Sequence, residues 1–196
     1  MARAGRRAQI LAVAQELFAR DGFHHVSMDD IANSAEVSKP VLYRHFPSKL
    51  DLYLDVVDHR GEALVSAIDT TLEMVGDGEA DGRAVVRALV RAYVEFVETA
   101  GDSSSLLFES DVTRDTAVRH RVEQASATAA ESICRGLREL AGLPPAQAEL
   151  LSTALVGLAR VAATSRYRSQ EVSIEDTVEL ITQLAWRGVA SFVKER

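Results

Sequence analysis

A single cysteine, Cys134, excludes an internal disulfide, and no histidine or second cysteine stands near it at a metal-ligand spacing. It is read as a small core residue. No apolar run approaches the roughly 18 residues that a membrane-crossing helix needs. The opening MARAGRRAQI leads straight into a periodic pattern without the apolar centre of a signal peptide, so a cytoplasmic protein without membrane contact is expected. Prolines number only 4 and strand-like alternation is missing, while 47% of residues are hydrophobic. An ordered, all-helical chain is therefore expected. GxSxG, Walker A and HExxH patterns are also missing, and the pairs Glu109 with Asp111 and Asp29 with Asp30 have no partners for acid–base work. Neither an enzyme nor a bound cofactor or metal is expected.

What is present is helical spacing, i, i+3, i+4, along nearly the whole chain. Ile10, Leu11, Ala14, Leu17 and Phe18 form one stripe that stops at Asp21-Gly22. Ser27 with Asp30 opens a short second helix ending near Glu36. Ser38 is placed to cap a third, where Pro40 is tolerated in the first turn, and Pro47 ends it after Phe46. Ser48 with Asp51 opens a fourth, running to about residue 75 across Gly61. The segment GDGEADG, 76–82, is the clearest break. Further helices are expected over 83–99, 104–109, 115–141, 144–168 and 173–194, about nine in all.

Net charge is −7, unevenly placed: residues 1–50 carry seven Lys/Arg against five acids, and the rest is strongly acidic. That suits a polyanion touching only the head, because local field governs steering. Two short helices joined by a tight turn behind a packing helix form a helix-turn-helix, whose second helix reads the major groove. In VSKPVLYRHFPSK, Leu42 and Phe46 make an i, i+4 buried pair, leaving Lys39, Tyr43, Arg44 and His45 outward for phosphates and base edges. The helix starts at Ser27, Ser38 and Ser48 offer amides to phosphate, with Lys49 adding charge at the third. Arg3, Arg6 and Arg7 are read as an N-terminal arm along the backbone or minor groove. Taken singly, these residues are as ordinary as any solvated helix face; their joint arrangement carries the reading.

The run SMDDIANSAEVSKPVLYRHFPSKLDLYLDV, 27–56, resembles the N-terminal domain of TetR-family transcriptional regulators, and the length and helix plan are similar over the whole chain. The resemblance implies a DNA-binding domain over 1–50, a helical ligand-binding and dimerisation domain over 51–196, and a homodimer reading successive major grooves of double-stranded operator DNA. Carried across, Ser27, Ser38, Lys39, Tyr43, His45 and Lys49 contact the DNA backbone, and Lys39, Pro40, Val41 and Arg44 lie nearest the bases.

Residues 150–163 and 178–193 are apolar on more than one face. They read either as helices covered by both their own core and a partner, or as an ordinary buried pair; the resemblance favours a two-fold four-helix interface. Leu151, Leu155, Leu158, Ala162, Ile181, Leu184, Gly188 and Phe192 are the interface candidates. The fifth helix is apolar around much of its girth and faces small residues on the seventh, which as plain core needs no ligand. The resemblance, however, implies an effector site, since in the family the space between the fourth, fifth, seventh and eighth helices usually holds one.

A finer likeness, in residues 104–134, ALVGLAR and QLAWRGVASF, is to actinobacterial TetR regulators of fatty-acid synthase genes that respond to long-chain acyl-CoA. It implies a hydrophobic effector, an acyl-CoA or fatty-acid derivative, lying against Leu64, Ile68, Tyr93, Phe96, Val97, Leu106, Phe108, Val122 and Leu155. Arg160, Arg166, Arg168 or Arg119 would meet its anionic head, each being otherwise a surface residue. The alternative is a drug- or metabolite-responsive efflux or catabolic regulator of the same fold. Repression is the sign most of the family implies, although the acyl-CoA type includes activators.

Overall fold

The computed structural model describes residues 3–75, 82–108, 112, 115–141 and 143–189. Among these it is all-helical: α1 (Arg3–Asp21), α2 (Met28–Ser34), α3 (Lys39–His45), α4 (Lys49–Val75), α5 (Gly82–Ala100), a 3-10 turn (Gly101–Ser104), α6 (Ser105–Phe108), α7 (Thr116–Ala141), α8 (Pro145–Ser169) and α9 (Ile174–Val189). Serines set several of these starts, Ser27 and Ser48 as expected. Asp30, Asp51 and Asp176 each donate a backbone N–H to the hydroxyl of the serine three residues earlier, at 3.1, 3.1 and 3.0 Å. Each serine hydroxyl in turn donates to that aspartate's carboxylate.

The turn between α2 and α3 is set by backbone rather than by a glycine. Glu36 takes a left-handed φ of 51°. The Glu36 N–H donates to Asn33 and the Val37 N–H to Ala32, at 3.1 and 3.0 Å. These two bonds close a Schellman motif around a residue type that rarely occupies its left-handed position.

Two compact units form. The first takes Met1–Gly61 with Asp102–Glu123, the second Glu62–Gly101 with Gln124–Arg196. Division by packing thus runs differently from the functional cut expected at residue 50, and α4 and α7 each continue from one unit into the other. In the first unit, Ile10, Phe18, Ile31, Leu42, Phe46, Leu52 and Tyr53 are buried together with Val56. The Tyr53 ring lies edge-on to Phe18 and Phe23, with centroids 5.1 and 5.0 Å apart. Such aromatic pairs add to the area they bury.

In the second unit α5 is the central rod. Nine of its residues are buried, and it packs against both α8 and α9. This explains its apolar girth: two neighbours cover two faces. At the start of α5, a Cβ on Gly82 would come within 2.9 Å of the Trp186 ring, so the close approach needs glycine. Along the more polar edge, Arg83, Arg87 and Arg91 of α5 pair with Glu175 and Glu179 of α9, spaced at successive turns. Cys134 departs from its expected core place: it is half-buried.

Candidate nucleic-acid interface

The geometry of α3 follows from its seven residues. Leu42 and Phe46 are 0% and 1% exposed, anchoring one side of the helix and its C-cap in the first unit's core. The opposite side is open. Ser38, Lys39, Pro40, Tyr43 and Arg44 are exposed, Tyr43 by 48%, and Val41 and His45 are half-buried. A short rod seated by two large apolar side chains therefore presents a phenol and two cations outward. Exposed cations and a phenol along one side of a short helix suit contact with the backbone and groove edges of an extended polyanion.

The charges around α3 are less free than the sequence implied. Lys39 donates to the Asp29 carboxylate of α2 at 2.7 Å. The hydrogen bond, and then the charge, of Asp29 hold the Lys39 ammonium above the ordinary lysine range. Lys49 turns inward. Its ammonium donates to the carbonyls of Phe23 and Val26 at 2.8 and 2.9 Å and sits 4.3 Å from the Phe23 ring centroid. Two of its three donors are committed within the protein.

Two further expectations are corrected. Arg6 and Arg7 do not belong to an extended arm, because α1 already includes them. Arg6 donates to Gln9 Oε1 at 3.0 Å, while Arg7 pairs with Asp55 of α4 and lies 5.0 Å over the Phe46 ring. Nor are the three serine-marked helix starts alike. Those at Ser27 and Ser48 already carry the carboxylates of Asp30 and Asp51, which disfavours a second anion there. Hydrogen bonds from Ser27, side chain first, hold Asp30 below the usual carboxylate range. Ser38 occupies the N-cap of α3 but makes no side-chain cap bond.

The expected effector residues are divided between the units. Leu64, Ile68, Tyr93, Phe96, Val97 and Leu155 are buried in the second, where burial pushes the Tyr93 phenol up against the opposing charge of Arg160. Leu106, buried, and Phe108 and Val122, half-buried, belong to the first. An open groove of about 390 Å³ lies elsewhere, between α7 and α8, lined by Ala130, Glu131, Cys134, Arg138, Glu149 and Ser152 among others. None of the expected residues is in it. Arg166 is no surface residue: its side chain is 13% exposed, paired with Glu98 and bonded to the Val172 carbonyl at 3.1 Å.

Of the expected interface residues, Leu151, Leu158, Ala162 and Ile181 are half-buried, Leu155 is buried, and Leu184 and Gly188 are exposed. Phe192 lies outside the described residues. Sequence reasoning missed Leu150, Val161 and Leu180, which are 71%, 57% and 58% exposed. The i, i+4 repeat of Leu180 and Leu184 was the signal available for the last of these.

Comparison with known proteins places this geometry. Residues 10–56 match the model of the bacterial regulatory proteins, tetR family. The HTH-type transcriptional activator FasR of Mycolicibacterium smegmatis is 33% identical over 188 residues, covering 94% of this chain and 83% of that protein. The HTH-type transcriptional regulator EthR of the same species is 38% identical over 68 residues, 35% of this chain and 31% of that one. Among solved structures, a TetR-like transcriptional regulator from Rhodococcus sp. RHA1 superposes with a TM-score of 0.76 at 29% identity, covering 97% of this chain and 98% of that one.

Proposed function

Because the chain belongs to the TetR family of bacterial transcriptional regulators, we propose that it binds duplex operator DNA as a homodimer through α3, under control of a hydrophobic small molecule. The observation that carries the DNA reading is the two-sidedness of α3: Leu42 and Phe46 sealed in the core, Lys39, Tyr43 and Arg44 open on the other side. In this reading Lys39, Pro40, Val41 and Arg44 approach base edges, and Ser27, Ser38, Tyr43 and His45 approach the backbone. Lys49 acts chiefly by fixing the start of α4, with one N–H left for phosphate. Arg6 and Arg7 act from α1. Two copies related by a two-fold axis set the recognition helices about 34–36 Å apart, one turn of DNA.

The half-buried and exposed leucines of α8 and α9 support the dimer, since exposed large apolar side chains such as Leu150, Leu180 and Leu184 gain from being covered by a partner. The description of the FasR relative as an activator supports activation over the repression implied by the family at large. For the effector, the likeness of residues 104–134 to acyl-CoA-responsive regulators supports a long-chain acyl-CoA or fatty-acid derivative, and each buried methylene would contribute about 0.8 kcal/mol. Because α4 and α7 continue between units, an effector that prefers one placement of either helix couples to DNA affinity reciprocally, typically by about 1–3 kcal/mol.

The test is selection from a random duplex pool, followed by binding of Arg44→Ala to the selected site. A loss of about 1–3 kcal/mol with relaxed preference at one base position is expected. Unchanged preference would remove Arg44 from the reading surface. Native mass spectrometry of the freshly purified protein tests the effector: an acyl adduct supports this reading, a drug-like one the efflux or catabolic alternative.

A further inference from the structure

The contact between Asp29 and Lys39 is unusual in its placement. Lys39 is the first residue of α3 and stands on the side that α3 presents outward; Asp29 stands in the first turn of α2. Their side chains are 60% and 54% exposed, and the Nζ–Oδ2 distance is 2.7 Å. A pair this open to water adds little to stability. Asp29 is also not needed as the cap of α2, since the capping box is formed by Ser27 with Asp30. Asp29 therefore places a negative charge on a face that would meet a polyanion, bound to the cation that leads that face.

We infer that Asp29 is a specificity-determining residue: by holding Lys39 it weakens binding to arbitrary DNA more than binding to the operator. The inference rests on the DNA-binding reading above. Binding to arbitrary sequence draws almost all its free energy from replacing counterions on the phosphates with protein cations. There the pair counts as nearly neutral, so Lys39 releases little. Operator binding adds base-edge contacts, for which a lysine already held in one orientation loses less side-chain freedom. Asp29 thus subtracts from both modes electrostatically but returns something only to the operator, by positioning Lys39. Tyr43, one turn further along α3 and exposed, bounds the same patch.

The experiment measures binding of the full chain to its selected site and to a scrambled duplex of equal length, across a salt series, for wild type, Asp29→Asn, Asp29→Glu and Lys39→Met, and for Asp29→Asn in the Lys39→Met background. Asp29→Asn is expected to tighten scrambled-duplex binding and to steepen its slope of log K against log salt by about 0.9, one additional phosphate contact. The ratio of selected to scrambled affinity falls. Asp29→Glu, which keeps the charge, stays near wild type. In the Lys39→Met background the same Asp29→Asn change leaves the ratio unaltered. An unchanged ratio in the Lys39 background, or an equal fall with and without Lys39, overturns the inference and makes Asp29 an ordinary surface acid. Wild-type protein that selects no site at all overturns instead the DNA-binding reading beneath it. Circular dichroism melting curves that superpose for the Asp29 variants keep a folding defect out of the comparison.

Discussion

The Lys49 ammonium donates to the carbonyl oxygen of Val26 at 2.9 Å, fastening the first residue of α4 to the residue before the Ser27 cap of α2. With the second bond to Phe23 and the Phe23 ring beneath, a residue expected on the DNA backbone works as a tie within the first unit. Lys49→Met keeps the stem and removes the donors. A loss of about 1–2 kcal/mol is expected, in the range of hydrogen bonds to charged groups after allowance for partial exposure. Thermal unfolding reads it as a fall of several degrees. A Lys49→Met protein that melts like wild type but binds DNA weakly would restore the lysine to a purely phosphate-facing role.

Arg166 and Glu98 join α8 to α5 from a largely buried position, the arginine side chain being 13% exposed and the glutamate 36%. Replacing Glu98 by Gln leaves a guanidinium poorly solvated and without its counter-charge. Breaking a fully buried pair costs about 3–5 kcal/mol, and the glutamate's exposure places this one at the lower end or below. The expected outcome is a clear drop in denaturation midpoint, with an unchanged denaturant slope if two-state unfolding holds. A Glu98→Gln, Arg166→Met double variant should recover part of it, because no unpaired charge then remains.

Much of this architecture is legible from side-chain type alone. Serine-acid spacings announced the starts of α2 and α4, and Leu42 with Phe46 announced which side of α3 would be sealed. What stayed hidden depends on direction rather than identity. A long lysine stem carries its charge outward or back over an aromatic ring with equal ease, so the inward turn of Lys49 left no trace in the pattern. Glu36 adopts a left-handed conformation that a glycine would have advertised. Arg166 resembled a surface cation because its partner Glu98 stands 68 positions away. The discontinuous units escaped for a similar reason: α6 and the start of α7 fold with the first unit, through contacts such as Arg121 to Asp58 at 2.5 Å that are remote in sequence.

The α5–α9 edge makes stability depend on acidity. Glu175 is held below the ordinary glutamate range first by its bond from Arg91, and Glu179 first by its bond from Gln183, with the arginines adding charge. For groups depressed in the folded chain, the stabilisation is complete above the unfolded glutamate value, about 4.3, and drains away as pH falls through the folded one. Asp55 works in the other direction, because burial, the largest cause, raises it. Comparing wild type with Glu175→Gln, Glu179→Gln separates the two. The double variant should melt lower near neutrality and lose less on acidification below about pH 5, with the gap narrowing in high salt because these carboxylates face water. Parallel curves for the two proteins would show that the edge is electrostatically idle.

Leu180 and Leu184 repeat at i, i+4 on α9 and are 58% and 62% exposed in the single chain. Their exposure makes a discriminating test possible, since glutamate at both positions should leave the protomer's own fold intact. If a second copy covers them, each substitution removes about 1.5–3 kcal/mol of apolar burial per protomer and sets like charges against one another across the two-fold axis. Light scattering after gel filtration should then report a monomer for Leu180→Glu, Leu184→Glu, with helical circular dichroism preserved. Affinity for the selected duplex should fall with it, because one α3 engages only one half-site and the second contact loses its effective concentration. A double variant that remains dimeric would place the partner surface elsewhere on α8 and α9, and one that is monomeric yet binds the full site undiminished would separate dimerisation from DNA reading altogether.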